Sequence, residues 1–325
     1  MLTDKLARVS IAHLPTFLEP LTRLTAHLGG PELWIKRDDQ TGLATGGNKT
    51  RKLEYLVADA LAQEADTLVT AGAAQSNHAR QTAAAAAKFG LACTLALRGK
   101  EPTQVRGNLL LDRLLGAEVV WAEDQPLPNV MGQVAEELQA AGHRPYVIPY
   151  GGSNPVGASG YVAAMEELLA QCAERDLHFD HVVLPSSSGG TQAGLAVGAR
   201  VLGFEGHILG ISIDLQADAL RYRLGDLATA TAGHLELELT FAPEGFSVDD
   251  GYLGGGYGVV GDLEREAIRT VASTEGVLLD PVYTGRAFGG LLDLIRRSAF
   301  QPDERVLFWH TGGTAGLFAY GGELI

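Results

Sequence analysis

Extended and helical patterns alternate along this chain from one end to the other. Extended runs at residues 34–36, 67–70, 92–97, 118–121, 146–148, 181–184, 207–213 and 306–309 are separated by helical stretches. Those stretches are 48–63, 75–89, 105–115, 130–141, 154–172, 191–202, 262–273 and 285–298. Parallel strands need a crossover between them, normally a helix. The alternation therefore predicts an α/β fold with mainly parallel sheets and helices on both faces. In the first helix Leu53, Leu56, Val57 and Leu61 share one face, which is expected to be buried. Residues 236–260 are the least regular and carry a glycine-rich run, Gly251 to Gly258. A connection of that length is expected to be an active-site loop or a plain surface loop.

Size and charge narrow the options. A chain of 325 residues suits one large domain or two ordinary ones. A net charge of −14 argues against nucleic acid or an anionic membrane as the main partner, since both attract basic surfaces. Cys93 lies in an apolar run and is expected in a buried strand, whereas Cys172 is expected to follow a helix. Two cysteines make no disulfide framework and have no metal-ligand spacing, so no metal is expected and a reducing cytoplasm fits. Residues 1–7 carry charge without an apolar signal core behind them, and no run reaches the ~20 apolar residues of a membrane span.

Three extended runs end in a glycine turn that opens a helix, at 69–78, 183–194 and 307–314. In open α/β sheets ligands sit at the carboxyl ends of strands. Free N–H groups at a helix start, joined by hydroxyls, bind phosphate. The second turn is the best cradle. Ser186, Ser187, Ser188 and Thr191 offer hydroxyls, and Gly189 and Gly190 let a ligand approach the backbone. It is not a nucleotide loop, because Leu195 stands where the Walker lysine is required, and Val259 spoils the nearest G-x-G-x-x-G. Taken singly, each turn also reads as a simple connection. In the first turn Ser76 suits a substrate carboxylate or a proton transfer. Asn77 can donate to a phenolate oxygen. His78 is either catalytic or a structural hydrogen-bonder.

A fourth glycine stretch, Thr45-Gly46-Gly47-Asn48-Lys49-Thr50-Arg51-Lys52, opens the first long helix. A lysine placed there can form an imine with an aldehyde, which is how enzymes hold pyridoxal phosphate. The competing reading is an ordinary solvated lysine, mildly unfavourable at a helix start.

Five stretches recur in order. They are Gly47 to Tyr55, Gln75-Ser76-Asn77-His78, Ser188 to Gly194, Asp280-Pro281-Val282-Tyr283-Thr284-Gly285-Arg286 and His310-Thr311-Gly312-Gly313-Thr314. Together they resemble the 1-aminocyclopropane-1-carboxylate (ACC) deaminase / D-cysteine desulfhydrase family, in the tryptophan synthase β group of pyridoxal phosphate enzymes. The resemblance implies fold type II: two three-layer αβα domains with mainly parallel twisted sheets. It puts a small domain at 53–154, inserted into a large one made of 1–52 and 155–325, and implies a homodimer.

The same resemblance implies roles. Lys49 matches the Schiff-base lysine and Lys52 a residue near the phosphate. Asn77 matches the partner of the cofactor's ring oxygen, and Ser76 a residue near the substrate carboxylate and reacting carbon, with His78 beside it. Ser188, Gly189, Gly190 and Thr191 match the phosphate loop, and Tyr257 and Tyr283 active-site tyrosines. Both tyrosines also read as core aromatics. The deaminase type carries Glu where this chain has Thr284, Leu where it has Thr311, and Gln where it has His78. All three differences point to the desulfhydrase branch. A carboxylate against the pyridine nitrogen would strengthen the electron sink, and opening a cyclopropane needs that strength. Loss of a thiolate from D-cysteine needs less, so a neutral hydroxyl at position 284 makes chemical sense. The implied reaction releases pyruvate, sulfide and ammonia, with a small amino acid as the only partner besides a second copy. L-Cysteate sulfo-lyase and ACC deaminase are the alternatives. Arg286 is the candidate donor for a sulfonate, against a structural role.

Overall fold

The computed structural model describes residues 2–325; Met1, part of the N-terminal stretch considered above, lies outside them. Ten strands form: β1 (Leu18–Pro20), β2 (Glu32–Arg37), β3 (Thr67–Gly72), β4 (Ala92–Leu97), β5 (Glu118–Trp121), β6 (Pro145–Val147), β7 (His181–Ser186), β8 (His207–Ser212), β9 (Ser247–Asp249) and β10 (Arg305–His310). The helices are α1 (Thr22–Leu28), α2 (Lys49–Ala62), α3 (Asn77–Phe89), α4 (Gly107–Leu114), α5 (Leu127–Ala140), α6 (Pro155–Arg175), α7 (Gly190–Leu202), α8 (Ala217–His234), α9 (Asp262–Glu275), α10 (Thr284–Arg296), α11 (Thr314–Leu317) and α12 (Gly321–Leu324). They build two sheets, of order β1-β2-β10-β7-β8-β9 and β5-β4-β3-β6. Among the strands of the described residues only β1 and β2 pair antiparallel; every other strand pair is parallel, as the alternation predicts, and a single antiparallel bridge joins Gly99 and Glu123.

Successive side chains of a strand point to opposite faces, and β10 shows what that does here. Val306 and Phe308 pack with α9 and α10 on one side, while Leu307 and Trp309 pack with α6 and α7 on the other. The smaller sheet repeats the plan. Leu68 and Leu95 face α2 and α3, and Val69, Ala71 and Ala96 face α5. Each sheet is thus covered on both sides by helices, which is the three-layer α/β architecture. No helix among the described residues is long and apolar enough to cross a membrane.

Helix α2 joins the two halves, packing on α6 and on α3. It is therefore buried on most of its circumference rather than along one stripe, and charged residues had to be accommodated. Arg51 pairs with Asp38 and Glu167. Tyr161 and Trp309 both donate to Asp38, and Lys36 donates to Glu167. Burial pushes the Asp38 carboxyl up, but Arg51, Lys36 and Tyr161 outweigh it and hold it below its usual range. Leu61, expected on the buried face, is 38% exposed, because the end of α2 runs out past its neighbours.

Several elements have no counterpart in the sequence reading. Helix α8 occupies residues that it left unassigned. Its buried positions Leu220, Leu224, Ala228 and Ala232 do follow helical spacing, but only two of its six buried residues are large and apolar, so the signal is weak. β1, α1 and β9 are three, seven and three residues long, too short to announce themselves. Cys172 lies inside α6 and not after it, while Cys93 is buried in β4 as expected.

Candidate active site

The segments that follow β3, β6, β7 and β10 converge, together with the start of α2 and the residue before α10, on one cleft. Carboxyl ends of parallel strands supply most of its wall, as the fold class requires. Of the residues singled out from sequence, Lys49, Ser76, Asn77, His78, Ser188, Gly189, Thr191, Tyr283 and Thr311 line it. Lys52, Gly190, Tyr257 and Thr284 lie behind or beside it.

Lys49 and Lys52 sit one helical turn apart at the start of α2. Lys49 opens partly to the cleft, yet burial of its ammonium lowers the pKa to about 8. Lys52 is deeper; burial first, and then the charge of Lys49, push it well below the ordinary lysine value. No carboxylate compensates either amine. In a chain of net charge −14, two uncompensated buried lysines side by side form a local anion site.

Helix α7 brings its free N–H groups to the same spot. Lys52 Nζ donates to Gly151 O and to Ser153 Oγ, both at 3.1 Å. Gly190 N donates to Ser153 Oγ (3.1 Å), which is also bonded to Ser188 Oγ (2.8 Å). Asn48 Nδ2 donates to Thr191 Oγ1 at 3.0 Å. A Cβ on Gly190 would fall 2.6 Å from Ser153 Oγ and 2.7 Å from Lys52 Nζ. Only glycine leaves that cradle open. Ser186 adds a buried hydroxyl without a partner. Amine, hydroxyls, helix N–H groups and bare glycines are the donor set that a phosphate dianion takes, with Lys49 beside it for the aldehyde, so these residues fit pyridoxal phosphate.

Opposite stands the start of α3. Ser76 caps that helix, accepting from Ala79 N at 3.1 Å. His78 is nearly fully buried, and its tautomer follows from its neighbours. Thr70 Oγ1 spends its hydrogen on Ile148 O (2.8 Å), so in its 2.9 Å contact with His78 Nε2 it must accept. Nδ1 is then an unprotonated acceptor, and it has no partner. Burial, with Lys49 and Lys52 adding to it, holds the imidazole pKa well below its usual value and keeps it neutral.

Tyr257 and Tyr283 bond to each other through their hydroxyls at 2.6 Å, ring edge to ring face. Burial raises both pKa values well above the usual phenol, so both stay protonated. Thr284 points elsewhere. Its hydroxyl donates to Asp280 Oδ1 at 2.8 Å and accepts from Asp280 N at 2.8 Å, inside the turn that starts α10. Arg286 is fully buried and spends its donors on Glu264 and the carbonyls of Ile213, Gly256 and Val259, which pins the glycine-rich loop.

Tyr150, Gly151 and Ser153 were not foreseen. The signal was present: Gly151-Gly152-Ser153-Asn154 between an extended run and a helix is one more turn of the kind described above. Tyr150 lines the cleft and lies against Tyr257 and Tyr283.

Comparison with known proteins agrees with this geometry. Residues 9–312 match the family described as pyridoxal-phosphate dependent enzyme. D-Cysteine desulfhydrases from Salmonella choleraesuis (strain SC-B67) and Salmonella paratyphi C (strain RKS4594) are each 46% identical over 319 residues, covering 96% of either chain. A crystal structure of an ACC deaminase homologue superposes with a TM-score of 0.92 at 40% identity, over 99% of this chain and 97% of that one. Threonine deaminase isoform 2 from Solanum lycopersicum shares the fold, with a TM-score of 0.65 at 17% identity over 93% and 80%. With a sequence match over 96% of the chain and a cleft whose donors fit the cofactor, the chain belongs to the pyridoxal-phosphate dependent enzyme family.

Proposed function

We propose that this enzyme is a carbon–sulfur lyase that eliminates sulfide from D-cysteine, giving pyruvate and ammonia. The observation that carries the reading is the pair of uncompensated lysine amines at the serine-glycine cradle, in a chain similar along its length to D-cysteine desulfhydrases. When bound, pyridoxal phosphate supplies an electron sink that stabilises negative charge on the substrate's α-carbon.

The chain's own residues would do the rest. Lys49 would hold the cofactor and, once freed by substrate, take the α-proton; an amine with pKa about 8 is poised for both directions of that transfer. Lys52, Ser188, Gly189, Gly190 and Thr191 would hold the phosphate, with Ser153 bracing Lys52. Asn77 would face the ring oxygen, and Thr311 would lie against the cofactor. Thr284, tied to Asp280, would keep a strong carboxylate away from the ring nitrogen. Ser76, with Asn77 and His78 beside it, would receive the substrate carboxylate. Tyr283, bonded to Tyr257, would give the departing sulfur its proton. We also propose the small domain at 53–154 as a unit that closes on the large one to exclude water, a homodimeric assembly, and a cytoplasmic location.

The test is a substrate panel. D-Cysteine, L-cysteine, L-cysteate and ACC are each assayed for pyruvate or other 2-oxo acid, sulfide and sulfite. Sulfide from D-cysteine is expected to dominate; sulfite from L-cysteate, or ring opening of ACC, would replace the proposal with the alternative. The Lys49→Ala protein is expected to lack the visible absorbance of lysine-bound cofactor and to lose turnover.

A further inference from the structure

Asn77 can meet a ligand with either end of its amide, and the two ends have opposite chemistry. Which end faces the cleft is decided by its neighbours. Arg80 on α3 is fully buried, and its polarity cannot invert, because guanidinium only donates. Its Nη2 donates to Gly46 O at 2.7 Å, and its Nη1 to Asn108 Oδ1 at 2.9 Å. Asn108, fully buried at the start of α4, therefore turns its oxygen to Arg80 and its nitrogen away. That nitrogen meets a second fixed group, the carbonyl of Gln75, at 2.8 Å, and it reaches Asn77 Oδ1 at 2.9 Å. Arg80 Nη1 adds a longer contact to the same oxygen, at 3.4 Å. The Asn77 oxygen is thus occupied from behind by two donors, and its Nδ2 is the end left for the cleft.

We propose that Arg80 and Asn108 are positioning residues that set the polarity of the Asn77 amide, so that Nδ2 donates toward the ring oxygen of the bound cofactor. The proposal rests on the reading of Asn77 given above. It adds a consequence. The relay begins at Gly46, three residues before Lys49, so the lysine and the amide that would flank the cofactor are tied through one guanidinium. A donor held at the ring oxygen stabilises its ionised form; an acceptor there favours the protonated form. The two forms absorb at different wavelengths, so the amide's orientation can be read optically.

The experiment compares absorbance spectra of the unaltered holoenzyme with Asn77→Ala, Asn108→Ala and Asn108→Asp, across pH, at saturating pyridoxal phosphate. Asn77→Ala is expected to shift the band ratio toward the protonated form by about threefold or more, the weight of one neutral hydrogen bond. Asn108→Ala should give a smaller shift in the same direction. Asn108→Asp, which keeps size but presents an oxygen to Asn77, should give a larger shift than Asn108→Ala by turning the amide round. A merely structural role would lower stability in both variants without that order. An unchanged ratio in both Asn108 variants beside a shifted Asn77→Ala overturns the proposal and leaves the Asn77 reading standing. An unchanged Asn77→Ala removes the reading and the proposal with it. A crystal structure of the unaltered holoenzyme supplies a measurement that no folding defect can confuse. It should place Asn77 at bonding distance from the ring oxygen with Asn108 still on Asn77 Oδ1; a different donor at the ring oxygen, or Asn108 turned away, overturns the proposal.

Discussion

Lys49 shares the positive charge of the cleft with Lys52. Burial lowers its pKa to about 8, so near neutrality a far larger fraction is the free amine than for a solvated lysine. Capture of the aldehyde needs that free amine. The rate of cofactor binding by apoprotein is expected to rise with pH and level off above about 8, measured by stopped-flow absorbance; a rate still climbing through pH 10 would mean an unperturbed lysine. Ser76 caps α3 and, in the proposed function, would also receive the substrate carboxylate. Replacing it by Ala removes the α3 cap and should cost about 1 kcal/mol in urea denaturation, along with a loss of turnover. Much at this scale was legible. Lys49, the serine-glycine cradle and Asn77, which the structure brings to one cleft, stand out in the sequence because each residue type sits in a glycine turn at a helix start. Ser153 and Arg80 do not, because their roles come from contacts 101 and 34 residues away in sequence. Thr284 was legible as a position but not as a partner of Asp280.

At the scale of elements, close approach of helix backbones brings the cleft residues together. Gly194 on α7 would place a Cβ 2.3 Å from Ala158 O on α6, and Gly160 on α6 would place one 2.4 Å from Arg51 O on α2. Three helices thus stack with almost no side chain between them, which sets the α7 start beside Lys52. Gly194→Ala is expected to push α6 and α7 apart, destabilising the fold by about 1–3 kcal/mol and weakening cofactor retention. Thermal melts with equilibrium dialysis of the cofactor would measure both, and unchanged retention would show that the spacing is not needed. The sequence announces long elements through their periodicity. It is silent on helix contacts, because a glycine in a helix looks the same whether it faces solvent or a neighbour's carbonyl. The same blindness hides α8, whose buried side has two leucines among alanine, glycine and threonine.

For the molecule as a whole, the ion cluster under α2 ties the N-terminal segment, β2, α6 and β10 together. Arg51, Lys36 and their hydrogen-bond donors hold Asp38 and Glu167 below the usual carboxylate range against the upward push of burial. A carboxylate with a lowered folded-state pKa stabilises above its unfolded value, and that contribution is lost as pH falls through the folded one. The melting temperature is therefore expected to hold from neutrality down to about pH 5 and to drop below about pH 4. Asp38→Asn should cost about 3–5 kcal/mol at neutral pH, by leaving Arg51 half-paired in the interior, and should flatten the acid slope. The parallel character of the sheets was legible from alternation, and their number came from the family resemblance; the strand order was not legible, since nothing local says that β10 inserts between β2 and β7. That insertion has a biosynthetic consequence. A nascent polypeptide has made Lys49 long before Arg305, and until the latter leaves the ribosome the large sheet lacks its middle strand. Vitamin loading is therefore expected to wait for Arg305, and stalled chains arrested before that residue should emerge colourless.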